Sequence, residues 1–133
     1  MNLTKKHQYG LSAMVQLGFF YEKGPVKLRL ISEKAVIPHA FLEQLMLNLK
    51  KSGLVKSTRG AKGGYQLSYS PQLISVHSIF SAIDPLICDA NKDDLLAFFW
   101  SKLNSHVNHF FDLPLQAIME DVLKKEQVLT YSI

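Results

Sequence analysis

A single cysteine, Cys88, stands in 133 residues. It rules out an intrachain disulfide framework and any zinc site built from several cysteines of one chain. Apolar runs are short: none approaches the roughly 18 residues of a membrane span. The opening decapeptide, MNLTKKHQYG, lacks the apolar centre of a secretion signal. Together these predict a cytoplasmic protein without a membrane partner. Repeats and low-complexity tracts are missing, as are H-E-x-x-H, G-x-S-x-G and both glycine-rich nucleotide fingerprints, so no enzyme and no catalytic or metal-binding set is expected. Acidic residues are scarce in one half only. From Met1 to Tyr69 there are 11 Lys or Arg against 3 Asp or Glu, a balance of +8, whereas from Ser70 to Ile133 there are 4 against 8, a balance of −4. A basic front half is suited to a polyanion, and an acidic, apolar-rich back half to packing against protein.

What is present is enough for one compact domain: 47% hydrophobic and 20% charged residues. Tyr9, Ala13, Leu17 and Phe20 recur at helical spacing and predict a first helix from about Thr4 to Tyr21, ended by Gly24-Pro25. A short helix is expected over Leu28–Lys34 and a longer one from near Pro38. In the latter, Leu42, Leu45 and Leu49 form an inner stripe, and His39, Ala40, Glu43, Gln44, Leu47, Lys50 and Lys51 fall outside it. Ser52-Gly53 stops this helix. Two strands, about Leu54–Ser57 and Tyr65–Ser68, then flank the turn RGAKGG as a hairpin, with Tyr65 packing at its base.

Helix, short helix, longer helix and a two-stranded ribbon is the order of a winged helix-turn-helix. The fold class expected is therefore mainly α with a small β-hairpin. In such a domain the third helix can enter a DNA major groove while the hairpin reaches the backbone or minor groove. The glycines of the turn then allow positive φ and close approach to phosphate, and Arg59 and Lys62 supply charge at the tip.

The stretch FLEQLMLNLKKSGLVKSTRGAKGGYQLS, Phe41 to Ser68, resembles the signature of the IscR/NsrR/CymR family of bacterial winged-helix transcription regulators. LTKKHQYGLSAM and ISVHSIFSAID extend the likeness more loosely to about Asn2–Asp84. The resemblance implies a homodimer on a pseudo-palindromic site in double-stranded DNA, and the regulator expected is a repressor by default. It carries the base-reading glutamate onto Glu43 and the wing arginine onto Arg59. Such roles suit the chemistry: a carboxylate accepts from a cytosine amino group, and an arginine is drawn to a narrow minor groove. Tyr9, Ala40, Gln44, Lys50, Lys51, Lys56, Gly60 and Lys62 are their expected DNA-binding neighbours. Leu47, also outward, would meet a thymine methyl or lie on the rim of the protein. Two positions depart from the pattern. Val36 stands where a turn glycine is common, which predicts a rearranged turn, and Pro38 brings no hydroxyl to cap the third helix, although it suits a first helical position.

The division expected is a winged domain over 1–72 and a helical dimerisation region over 73–133. Val76, Ile79, Phe80 and Ile83 predict a short amphipathic helix; a long one over about 92–111 carries Leu96, Phe99, Leu103 and Phe110 on one face and Trp100, Val107 and Phe111 on another. A last helix, about 115–124, has Leu115, Ile118, Met119 and Val122 inward and can cover only part of that surface. A two-fold partner would bury the remainder, through Leu96, Phe99, Trp100, Leu103, Val107 and Phe110. Cluster-binding members of the family use three cysteines after the wing; this chain has Cys88 alone. No cofactor is expected. The alternatives left open are a redox sensor at Cys88 and a non-standard iron–sulfur cluster joining Cys88 to His106, His109, Asp89 or Asp93. Control by a regulatory protein or small-molecule effector, and a winged-helix interaction module without sequence-specific DNA binding, also remain open.

Overall fold

The computed structural model describes residues 3–86 and 94–131. In chain order these form α1 (Lys5–Phe19), α2 (Leu28–Ala35), α3 (His39–Lys51), β1 (Val55–Thr58), β2 (Gly64–Leu67), a 3₁₀ turn (Pro71–Leu73), α4 (Val76–Ile83), α5 (Ala97–Phe110) and α6 (Leu115–Tyr131). Most predicted boundaries lie within two residues of these. Two expectations need correction. The long helix begins at Ala97 rather than near 92, and α6 continues to Tyr131, seven residues past the expected end at 124. Nothing in LKKEQVLTY breaks a helix, so falling amphipathicity alone does not end it.

One core joins front and back halves. Ala13, Met14 and Leu17 of α1 meet Ile31, Leu42, Met46, Leu49, Val55 and Leu67 from the winged segment and Val76, Ile79, Leu115 and Met119 from the later helices. α6 packs chiefly on α1 and the 3₁₀ turn, more than on the long helix that it was expected to cover in part. Met119 lies directly over Gly18, where any Cβ would overlap its sulfur. Here Leu115 and Met119 are buried and Ile118 and Val122 pack alongside, as their spacing predicts.

The only buried polar side chain among the described residues is His7, 1% exposed. Its Nδ1 accepts from the Thr4 N–H at 3.1 Å, so its Nε2–H donates to the Asp84 carbonyl at 2.8 Å. Its ring also meets Phe80 edge-on. A histidine thus performs the backward half of a capping box at the start of α1 and pins the end of α4 to that start.

Between α2 and α3 the turn is not rearranged. Val36 itself takes the left-handed conformation, φ 55 and ψ 55, with its side chain 81% exposed. That conformation is uncommon for a β-branched residue and costs on the order of 1–3 kcal/mol. The turn is held by the Ile37 N–H donating to Ser32 O and the Ser32 hydroxyl donating to Ile37 O. Pro38 is the cap residue of α3 rather than its first helical position and makes no side-chain hydrogen bond there. At the other end of α3, Gly53 N–H donates to Lys50 O and Leu54 N–H to Leu49 O, a Schellman closure that feeds the chain into β1.

Candidate nucleic-acid interface

Burial along α3 separates its two faces. Leu42, Leu45, Met46 and Leu49 are buried, and His39, Ala40, Glu43, Gln44, Leu47, Lys50 and Lys51 are exposed. Met46 joins the inner stripe that the sequence reading limited to three leucines. Tyr9 from α1 is half-buried, its ring edge against Phe41 at 5.3 Å and the Lys5 ammonium 5.5 Å from its centroid. Tyr9 therefore braces α3 through Phe41 while staying partly accessible. Gln44 donates to Asn48 Oδ1 at 3.4 Å. Both line a hollow of about 460 Å³ with Lys6, Pro38, Ala40, Phe41 and Leu45.

The hairpin pairs Val55 with Leu67, Lys56 with Gln66, Ser57 with Tyr65 and Thr58 with Gly64. Lys56, Arg59, Gly60 and Lys62 are all exposed. Among the described residues no carboxylate pairs with Lys50, Lys51, Lys56, Arg59 or Lys62. Cations that leave their charge unmatched from the end of α3 to the wing tip are an anion-facing arrangement.

The glycines of the wing have an internal reason beyond the approach to phosphate expected of them. Val26, ahead of α2, exchanges two hydrogen bonds with Tyr65, each 2.8 Å, and so adds a one-residue third strand to the hairpin. Gly64, at φ 148, lies beneath this crossing: a Cβ there would stand 2.5 Å from the Val26 carbonyl carbon and 3.0 Å from the Lys27 nitrogen. At Gly63 a Cβ would strike the Thr58 carbonyl group across the turn. Tyr65, half-buried against the core, packs at the wing base as its strand position predicts. Lys27 was not among the residues singled out, yet its Nζ donates to the Gly60 carbonyl at 2.9 Å and ties the wing tip to the start of α2. A cation at the entry to the second helix is the signal that could have marked it.

On α5 no residue is buried. Leu95, Leu96, Phe98, Phe99 and Phe110 are exposed, and Trp100, Leu103 and Val107 are partly covered. Its C-terminal end is fastened to the core: Phe111 stacks edge-on against Phe80 at 5.1 Å, and the Phe111 carbonyl accepts from the His77 N–H at 2.8 Å. At its start, Asp94 Oδ1 accepts from the Leu96 N–H at 3.0 Å and Oδ2 from the Trp100 indole N–H at 2.9 Å. The Leu96 hydrogen bond first, then that of Trp100, hold this carboxyl below its usual 3.8.

Comparison with known proteins places this geometry. The Rrf2 profile, described as "Iron-dependent Transcriptional regulator", matches residues 3–125. The chain belongs to the Rrf2 family. It is 36% identical over 132 residues to the HTH-type transcriptional regulator IscR of Aliivibrio salmonicida, spanning 91% of this chain and 79% of that one. Among solved structures, T. potens IscR superposes with a TM-score of 0.78 at 33% identity, covering 92% of this chain and 88% of the other. CymR, the global cysteine regulator of B. subtilis, gives 0.80 at 30% identity, covering 90% and 97%. These relatives support the winged-helix fold and make this Rrf2 chain a DNA-binding transcription regulator rather than an enzyme.

Iron, named in the family description, is a poor match to the donors here. Clusters are held mainly by thiolates, and this chain has one cysteine. Cys88, Asp89 and Asp93 lie outside the described residues. His106 and His109 are exposed on α5, and among the described residues no three His, Cys, Asp or Glu side chains converge on a metal-sized site. Among those residues, too, no helix is long and apolar enough to cross a membrane.

Proposed function

We propose that the protein is a cytoplasmic, homodimeric repressor that binds a pseudo-palindromic operator with α3 in the major groove and the wing in the adjacent minor groove. The observation that carries this reading is the run of unmatched cations, Lys50, Lys51, Lys56, Arg59 and Lys62, beside a single outward carboxylate, Glu43. A surface made only for holding a polyanion gains nothing from a carboxylate. One that must choose among bases does: Glu43 accepts from a cytosine amino group and repels the acceptor-rich edge of guanine. Arg59 enters the minor groove, where narrowing deepens the negative potential. Ala40, Gln44 and Gly60 border the contacted bases and backbone, Tyr9 reaches the flank, and the lysines pair with phosphates, fixing register without reading sequence.

The dimer forms through α5. Leu96, at the cap of α5, and Phe99, Trp100, Leu103, Val107 and Phe110 along it are the apolar side chains of a helix with no buried residue of its own, and a second copy of the same helix is the economical cover. Two recognition helices then meet two half-sites about one helical turn apart.

Selection from a randomised duplex library tests the reading. The wild-type protein is expected to enrich one inverted repeat. Glu43→Ala should relax the choice at a cytosine in each half-site, by about 1–3 kcal/mol of discrimination, with a smaller loss of affinity. Arg59→Ala should weaken sites with an A·T-rich flank most. Enrichment of no sequence, with binding that only falls steeply with salt, would refute the operator-reading role.

A further inference from the structure

His39 is the first residue of α3, exposed, and its Nδ1 stands 3.5 Å from Glu43 Oε1. The two side chains are 54% and 58% accessible, so water still screens the pair in the free protein. Four residues apart, they occupy the same helix face on successive turns. Pro38, the cap residue, leaves its own side chain out of hydrogen bonding, so nothing from the cap competes for the imidazole. Glutamate is a demanding base reader, because ordering its side chain costs up to about 2 kcal/mol of rotamer freedom.

We infer that His39 is a specificity-determining positioning residue: its Nδ1–H holds Oε1 of Glu43 and leaves Oε2 free to accept from the cytosine amino group. The inference rests on the base-reading role proposed above for Glu43. The neutral Nδ1–H tautomer and the imidazolium both carry the required proton, whereas the Nε2–H tautomer does not, so the pairing selects the first two forms. A small rotation of the glutamate closes 3.5 Å to hydrogen-bond length. Once the groove covers the pair and expels water, the interaction strengthens, and the imidazole offsets part of the cost of bringing a carboxylate among phosphates.

The test compares His39→Ala, His39→Gln and His39→Asn of the full chain on the selected operator and on operators changed at the cytosine. An asparagine amide nitrogen falls close to the position of Nδ1, and a glutamine amide close to Nε2. Preference for cytosine should drop about three- to tenfold in His39→Ala and His39→Gln and stay within about twofold in His39→Asn, with binding to unrelated duplex unchanged at the same salt. In a Glu43→Ala background His39→Ala should have no further effect. An unchanged preference in His39→Ala, while Glu43→Ala relaxes it, would overturn this inference alone. So would a His39→Ala effect that persists without Glu43, which would make His39 a direct DNA contact. Retention of full cytosine preference by Glu43→Ala would remove the role of Glu43 and this inference with it.

Discussion

Gly64→Ala tests whether the wing is locked onto the body of the domain. Two separate effects act at this position. At φ 148 an added Cβ meets local backbone strain of about 1–2 kcal/mol. It also overlaps the Val26 carbonyl and approaches the Lys27 nitrogen, both backbone groups that cannot swing aside as a side-chain end would. To make room the Val26 segment must leave Tyr65, which breaks two 2.8 Å hydrogen bonds at about 1 kcal/mol each. The loss expected is about 3–4 kcal/mol. Gly60→Ala is the matched control: it too has positive φ, 105, but nothing lies within 4 Å of its Cβ, so only the strain of about 1–2 kcal/mol applies. With an unfolding entropy of about 2.1 cal/mol/K per residue over 133 residues, these losses become Tm drops of about 11–14 °C for Gly64→Ala and about 4–7 °C for Gly60→Ala. Calorimetry at one fixed protein concentration measures both. Equal drops would show that the Val26 crossing contributes nothing and that the wing glycines serve local conformation alone.

Other expectations concern the surface charge, the termini of α5 and its apolar face. Lys62→Ala should weaken binding to all duplex sequences alike and reduce the slope of log K against log salt by about 1. A sequence-dependent loss would mean that Lys62 reads bases. Asp94 has a lowered folded-state pKa, so its contribution to the start of α5 is present above 3.8 and is lost as pH falls through that lower value. Trp100, the single tryptophan, donates to this carboxylate, and its fluorescence should show a transition with midpoint below 3.8 that Asp94→Asn abolishes; a midpoint at or above 3.8 would contradict the geometry. If α5 forms the proposed dimer, Phe99→Glu together with Leu96→Glu should yield a monomer by sedimentation where the wild type sediments as a dimer, and weaken operator binding, with the winged domain still folded by circular dichroism.

Much of this fold was legible in local sequence because its signals are local. The stripe Leu42, Leu45, Leu49 set the inward face of α3, Ser52-Gly53 ended it, and glycines between two short apolar stretches announced the hairpin. What escaped depends on groups distant in the chain. Nothing in the sequence marks His7 as structural, because its bond reaches Asp84, 77 residues away, and its ring packs on Phe80. Val26 and Tyr65 carry no pattern that pairs them. Val36 misled for another reason: a residue with poor propensity for the left-handed region holds it, since the bonds between Ser32 and Ile37 over-determine the turn. The candidate interface was readable as exposed positions on α3 and the wing, whereas the closeness of His39 to Glu43 needed coordinates.

The lysine bond from Lys27 to Gly60 and the crossing of Val26 with Tyr65 tie the wing to the front of α2, which in turn packs against α3. On the operator reading proposed above, α3 and the wing would meet DNA like the two jaws of a caliper mounted on a single frame. Operators that insert or delete one base pair between the stretch under α3 and the stretch under the wing would leave one jaw empty, so such sites should be rejected by length as well as by composition.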